Sequence, residues 1–444
     1  MKKLFPMNKS ISLKTQFILL FIFFLLPATF AGNEPDSLRL SEAIQKVIEQ
    51  HPTVQLSLEA LKAADTRISL ARTGYLPDVD VSASYSHVGP VPSFDIPNIG
   101  HIQFIPADNY SASLNAQQNI YDFGRTSKRI AAEMEGKQLG EEQVEVVRQN
   151  LTKRVISLYY TLAYTQEALK IKEQQIDNLK LHLERVVKKQ ETGSATDYEV
   201  LSTQVKLTAA ETQRTELNSM LSIQLAILNT LLGVPSETPW MLSSSTSVPM
   251  VDATQDSVVA GALRERAEVK VAAAREELMK IRIDLARTEN KPALRAFASA
   301  GWKDGYIPEI NKLRGNYAAG LSLKIPLFDA NRTKYNVMLA QSSLTNSVFE
   351  KDLAARDITN EVVEYYQKKI AAIHKVEQGE AQVRQAARAH ELANTSFNAG
   401  AITNLDLLDA TTVLSESRLM LLKARIDLLM NYYGLELAAG KKLF

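Results

Sequence analysis

The chain has 444 residues, with 51 Lys and Arg against 50 Asp and Glu, a formal net charge of +1, and no Cys. Without Cys there are no disulfides, thiolate metal sites or Cys nucleophiles, and the balanced charge lacks the basic footprint of a nucleic-acid binder. An apolar fraction of 45% beside 23% charged residues excludes a mostly disordered chain.

The first segment reads as an address. Lys2, Lys3, Lys9 and Lys14 precede the apolar run Phe17–Ala31, which ends in small residues. This pattern predicts a signal peptide over 1–31, with Thr29 and Ala31 at the cleavage positions. The run spans 15 residues, fewer than the roughly 20 that cross a bilayer as a helix. Its removal takes four Lys and no acid, turning the +1 into −3. No later segment is apolar enough for a membrane helix, so a membrane location requires a β-barrel.

The remainder reads as two repeats, 32–235 and 257–444, joined by a linker at 236–256. "NIYDFGRT" (119–126) aligns with "PLFDANRT" (326–333) at an offset of 207. "ETGSATDYEVLST" (191–203) aligns with "NAGAITNLDLLDA" (398–410) at the same offset, pairing Gly193 with Gly400, and Gly233 falls opposite Gly440. Upstream, "ARTGYLP" (71–77) meets "ARTENKP" (286–292) at 215. The eight-residue difference falls between Pro77 and Asp122, giving the first repeat the longer loop. Fixed offsets of this kind are the mark of a duplicated structural unit.

Each repeat reads helix, two strands, long helix, tight turn, shorter helix. Residues 40–75 are helical in composition, broken at His51-Pro52. Period-two alternation then predicts strands at about 77–86 and 109–121. Val79, Val81, Ala83 and Tyr85 share one face; so do Tyr110, Ala112, Leu114, Ala116 and Ile120. A Pro- and Gly-containing loop (86–109) separates the two strands. The stretch 126–190 has no Pro and carries Val144, Val147, Leu151, Val155, Leu158 and Leu162, then Ile176, Leu179, Leu183 and Val186, in steps of three and four. That is a coiled-coil seam, about 98 Å long at 1.5 Å per residue. A returning helix is expected at 197–232. The second repeat follows with a helix at about 257–289, strands at about 292–303 and 316–328, a long helix at 333–397 and a return at 404–439. The half-length helices of each repeat, placed end to end, match one long helix. Four strands cannot close a barrel and open edges cannot sit in lipid, so a membrane form requires more than one chain.

These words, the repeat and the export signal resemble the TolC-like outer membrane efflux protein family over nearly all of the mature chain. The most specific stretches are Phe397–Gly440 with its "LDLLDA", Ala71–Tyr85, and "IPLFDANRT" (325–333). Ile402 stands where that family often has a basic residue. The resemblance implies a mainly α fold with a membrane β-barrel. It implies a homotrimer whose 12-stranded barrel, in outer-membrane lipid, continues as a helical coiled-coil tunnel across the periplasm. The implied partners are a periplasmic adaptor (membrane fusion) protein and an inner-membrane RND or ABC transporter. No cofactor, metal site or catalytic role is implied.

Asp406 and Asp409 lie three residues apart on one helix face. The resemblance implies that this face points at the tunnel axis. Three chains would then give rings of carboxylates that favour cations and narrow the constriction, with Glu199 adding a partial ring. A second reading of Asp406 and Asp409 is ordinary helix design, first-turn carboxylates complementing the positive helix end. Gly193 and Gly400 suit helix C-caps; with Ser194 and Ala401 they form tips bare enough for an adaptor to approach. Tyr85, Tyr110, Trp302 and Tyr317 suit an interfacial belt or ordinary sheet packing. The six His show no metal-ligand spacing, and no phosphate loop, dinucleotide fingerprint or GxSxG is present. The leading expectation is an exit duct for small molecules. A duct for secreted proteins, a periplasmic adaptor and a soluble exported coiled-coil scaffold are the alternatives.

Overall fold

The structure, a computed structural model, describes residues 36–97, 100–242 and 253–443. The expected signal peptide and positions 243–252 of the expected linker lie outside the described residues. In chain order the elements begin with β1 (Asp36–Leu38), α1 (Leu40–Gln50), α2 (Pro52–Arg72) and a 3-10 turn (Thr73–Tyr75). Next come β2 (Asp78–His87), β3 (Ser93–Ile96), β4 (Gly100–Gln103), β5 (Asp108–Tyr121), α3 (Arg125–Glu191) and α4 (Asp197–Leu232). The second half holds β6 (Trp240–Leu242), α5 (Gln255–Glu265), α6 (Ala267–Arg287), β7 (Ala293–Lys303), β8 (Arg314–Lys324), α7 (Arg332–Asn398) and α8 (Asn404–Ala438).

The long helices α3 and α7 each have 67 residues, about 100 Å of rise. Both start the same way. Asp122 Oδ2 accepts from Thr126 N at 2.9 Å and Thr126 Oγ1 at 2.5 Å. Asp329 does the same for Thr333, at 3.0 and 2.5 Å. A short carboxylate thus satisfies an amide that the first turn leaves orphaned. Left-handed Gly124 and Asn331 precede the two helices. The anticipated seam is the buried face of α3: Val144, Leu151, Val155, Leu162, Ile176, Leu179 and Val186 are all enclosed.

The splice between half-length helices falls at the middle of α3. There Leu38, Ile44, Val47, Val54, Leu228 and Leu232 close around Val155, Tyr159 and Leu162. Tyr159 is buried, and its hydroxyl donates to the Leu38 carbonyl at 2.8 Å. A parallel pairing of β1 with β6 lies beside this core; the linker reading did not anticipate it. The helix expected over 257–289 is two helices, broken at Arg266, which is extended at ψ 135°. Arg266 stands where the first half has His51-Pro52. Its guanidinium pairs with Glu268 at 2.7 Å and Glu361 at 2.9 Å, and Glu361 also takes Lys153 at 2.7 Å. The charge cluster holds the break that proline enforces in the first half.

The main sheet runs β2-β5-β7-β8, antiparallel throughout. Its faces follow the alternation. Val79, Val81, Ala83 and Tyr85 oppose Ala116, Leu114, Ala112 and Tyr110; Trp302, Ala300 and Ala298 continue that face, then Tyr317, Ala319, Leu321 and Leu323. The other face is polar, with Ser84 Oγ 2.8 Å from Ser111 Oγ and Asn115 Nδ2 donating to Asp80 at 3.0 Å. A register shift between Asn119 and Tyr121 marks a bulge at the helix end of the sheet. Two expectations need correction. β8 stops at Lys324 rather than near 328, because Pro326 has no amide to continue a ladder. The 86–109 loop is partly structured: it carries the β3–β4 hairpin, with Phe94 and Phe104 edge to face at 5.8 Å.

Candidate functional site

Both helical hairpins turn through the same motif. Ser194 N donates to the Lys189 carbonyl at 2.7 Å, and Ala401 N to the Ser396 carbonyl at 2.8 Å. With Gly193 at φ 74° and Gly400 at φ 73°, these are glycine C-caps in which a side chain would strain the backbone. Nothing lies within 4 Å of where a Cβ would sit on either Gly. Gly193, Ser194, Gly400 and Ala401 are all exposed, so each hairpin ends in a bare tip.

The next turn starts with a capping box in both halves. Glu199 Oε2 accepts from Thr196 N at 2.7 Å. Asp406 Oδ2 accepts from Thr403 N at 2.9 Å and Thr403 Oγ1 at 2.6 Å. The helix-start role weighed from sequence for Asp406 and Asp409 is met by Asp406, and Glu199 plays the same capping part in the first half. The Thr403 hydroxyl and amide hold the Asp406 carboxyl below the usual range, which keeps it charged. Asp409 is exposed and lies 3.6 Å from Lys206 of α4, a contact between the two hairpins. At this exposure it contributes little stability.

What joins the hairpins is a buried node that no motif announced. Asn404, 2% exposed, donates through Nδ2 to the Glu199 carbonyl at 3.2 Å and to Thr203 Oγ1 at 3.1 Å. A carbonyl can only accept, so this bond fixes the amide orientation. Asn404 Oδ1 must then accept from His182 Nε2, at 2.6 Å. His182 packs edge to face on Phe397 at 5.1 Å, and Lys189 Nζ lies 4.1 Å from the same ring's centroid. One amide thus ties α3, α4 and α8 together just above the tips. Burial pushes the His182 imidazole below its ordinary value, and nearby Arg185 and Lys189 push the same way against the Asn404 bond. Further up, a groove of about 450 Å³ between α4 and α8 is lined by Lys172, Lys206, Gln213, Met220 and Glu416. Lys172 is buried there on the oxygens of Gln175 (2.7 Å) and Gln213 (2.8 Å), and desolvation holds its ammonium below the usual range.

At the opposite end, Tyr85, Tyr110, Trp302 and Tyr317 all lie on the apolar face near the loops, each at least half exposed. Tyr85 and Tyr110 rings sit 5.1 Å apart. A second aromatic tier, not singled out from sequence, marks the helix end: Tyr121 and Phe123, 4.7 Å apart, and exposed Phe328. Eleven residues separate Tyr110 from Tyr121. That is about 37 Å along a strand, or about 28 Å of height at a tilt of about 40°.

A family comparison matches residues 43–234 and 258–441 to the family described as outer membrane efflux protein. The chain belongs to that family. Among curated relatives, this efflux protein is 25% identical over 340 residues to the alkaline protease secretion protein AprF of Pseudomonas aeruginosa, covering 75% of this chain and 70% of that one. It is 22% identical to the outer membrane protein TolC of Vibrio cholerae, covering 99% and 96%. Among solved structures, the CusC channel superposes with TM-score 0.77 at 18% identity, over 91% of this chain and 92% of that one. Vibrio cholerae VceC gives 0.75 at 18% identity, over 91% and 97%. The efflux protein therefore has the fold of these channels, and its place is the outer membrane with helices extending into the periplasm. Its relatives are channels rather than enzymes. Among the described residues no helix is long and apolar enough to cross a membrane, and no three His, Asp or Glu gather as a metal site.

Proposed function

We propose that three copies of this chain form an outer-membrane exit duct. The duct receives small molecules from a periplasmic adaptor and an inner-membrane transporter of the RND or ABC class. The observation that carries this reading is the four-stranded sheet, apolar on one face and polar on the other, with neither edge paired among the described residues and 67-residue helices leading away from it. In lipid those edges must be paired, and three copies make a closed barrel of twelve strands. Two aromatic tiers about 28 Å apart suit the apolar band of such a barrel, with Tyr85, Tyr110, Trp302 and Tyr317 as the outer belt. In this assembly Asp406 and Asp409 ring the periplasmic constriction, Glu199 adds a partial ring, and the tips at Gly193, Ser194, Gly400 and Ala401 meet the adaptor. Asp406 and Glu199 keep their places whichever neighbour they face, since the capping boxes are local.

A second cargo class has one observation in its favour: the relative AprF is named for protease secretion. The test extracts the mature protein from outer membranes in detergent, measures its mass by light scattering, and records single-channel currents in planar bilayers. A trimer with discrete, cation-preferring currents supports the duct. A monomer recovered without detergent refutes it. Co-purification with an RND-type or an ABC-type transporter then separates the two cargoes.

A further inference from the structure

The seam between the two halves of the chain is a template for the seam between chains. Every β5 to β7 contact joins a first-half strand to a second-half strand. The free edges of β8 and β2 are the second-half and first-half counterparts of β5 and β7. The offsets that relate the halves can be checked inside the sheet. In the first hairpin Ser82 pairs with Ser113. Adding 215 and 207 gives Phe297 with Gly320, which is the pair observed in the second. The offsets therefore carry pairing register without slippage, despite the eight-residue difference in loop length.

Applied to the seam, the observed pairs Leu114–Ala300, Asn115–Ser299 and Ala116–Ala298 become Leu321 with Tyr85, Ser322 with Ser84 and Leu323 with Ala83. An independent check is facial parity, since a slip of one residue inverts every side chain. In the transferred register, apolar Leu321 and Leu323 meet apolar Tyr85 and Ala83, and Ser322 meets Ser84 on the polar face. Side chains at the helix end point the same way. Arg125, first residue of α3, donates to the carbonyls of Thr288 (2.8 Å), Glu289 (3.0 Å) and Lys291 (3.4 Å) at the end of α6. Its counterpart Arg332, first residue of α7, is exposed; its amide donates to the Asp329 carbonyl at 3.1 Å, but its guanidinium makes no hydrogen bond or ion pair among the described residues. The counterparts of those three carbonyls belong to Thr73, Gly74 and Leu76, at the end of α2. Buried positions in the internal seam also have exposed counterparts. Leu408 is 1% exposed and Leu201 is 59%; Ala132 is 9% and Leu339 is 70%.

We infer that a second copy of this chain occupies the free edge of β8 through its own β2, with Ser322 opposite Ser84, and that Arg332 seats on the Thr73, Gly74 and Leu76 carbonyls of that copy. This rests on the oligomeric duct proposed above and specifies its contact surface. A head-to-tail contact of this kind repeats until it closes a ring.

The absence of native Cys makes the test clean. Asp304 N donates to the Tyr110 carbonyl at 3.3 Å, a hydrogen-bonded pair. Alternation then makes Asn115–Ser299 a closely spaced non-hydrogen-bonded pair, and Ser84–Ser322 its counterpart, within reach of a disulfide. The full-length protein carrying Ser84→Cys and Ser322→Cys is oxidised in outer membranes and run on non-reducing gels. The expected result is covalent dimer and trimer bands. Ser82→Cys with Ser322→Cys, two residues out of register, is expected to stay monomeric on the gel. Arg332→Ala is expected to raise the monomer fraction severalfold at fixed detergent, with helix content unchanged. Bands from the shifted pair instead, or no bands while light scattering still reports an oligomer, overturn the register. An unchanged monomer fraction in Arg332→Ala overturns the arginine contact. A monomer by light scattering in all variants and in the parent overturns the duct reading itself.

Discussion

Replacing Asn404 with Ala removes the amide that holds three helices at one point. The His182 Nε2–H loses its acceptor at 2.6 Å in a site that is 8% exposed. A buried donor left without a partner costs about 1–3 kcal/mol. The Glu199 carbonyl is not orphaned, because Thr203 Oγ1 (2.7 Å) and Ser202 Oγ (3.0 Å) still donate to it. Loss of the remaining amide bonds, to the Glu199 carbonyl and the Thr203 and Ser202 hydroxyls, therefore adds only about 0.5 kcal/mol. A total of about 1.5–3.5 kcal/mol corresponds to roughly a 10- to 400-fold shift toward separated hairpins. Hydrogen–deuterium exchange over 403–411 reads this directly: protection should fall by that factor. The turn at 196–203, which keeps its own capping box, should change less. Protection within about threefold of the parent would show that packing of Leu407 and Leu408 alone holds the tip, and would refute the node.

The same node predicts a pH response. The His182 value in the joined state is depressed from 6.5 by burial and by Arg185 and Lys189, so the separated state binds more protons. The stabilisation is complete above about pH 6.5 and is lost as pH falls through the depressed value; corrected exchange at the tip should rise on acidification, and His182→Gln should flatten the response. Asp406→Asn with Asp409→Asn keeps a capping acceptor but removes charge, and cation-over-anion permeability in bilayers should fall about three- to tenfold, the equivalent of roughly 1 kcal/mol. An unchanged ratio would remove the carboxylates from the conduction path. Glu361→Ala leaves Arg266, whose side chain is 10% exposed, with Glu268 as its one carboxylate partner beside the Leu437 and Ala438 carbonyls. Thermal unfolding should show a loss of about 2 kcal/mol, below the figure for a fully enclosed pair because the Glu361 side chain is 26% exposed. At Gly434 a Cβ would lie 2.3 Å from Tyr365 Cε1; Gly434→Ala should cost about 1–3 kcal/mol in the same assay, and a neutral result would mean the ring swings aside freely.

The elements that sequence alone located are those whose signal is local and periodic. Sixty-odd residues without Pro, with apolar steps of three and four, left few alternatives to α3 and α7. Strict alternation from Val79 to Tyr85 fixed which side chains share a face. Elements set by distant partners stayed hidden. β1 and β6 are three residues each, too short for periodicity, and lie some 200 residues apart. The break at Arg266 has no proline; it depends on Glu361, which only folding brings near. In the candidate site, Asp406 stood out because it lies three residues before Asp409 at a helix start just after Gly400, and Glu199 because the repeat offset places it opposite Asp406. His182 and Asn404 are 222 residues apart, and the counterpart of Asn404 in the first half is Asp197, so the internal repeat gave no second copy of the node to notice.

The β3–β4 lobe sits in the one loop where the halves differ in length, yet the two hairpins pair in identical register. Strand pairing is thus insulated from whatever the loop contains. In the proposed duct this loop is the outermost point, where length and composition can drift under pressure from the surroundings while the wall beneath stays unchanged. If the duct stands as proposed, a short epitope or affinity tag grafted between Ser93 and Gln103 would be displayed at the cell surface by the same insulation. Because only one hairpin per chain carries the lobe, three copies would wear it at alternate positions, and the rim would be scalloped rather than smooth.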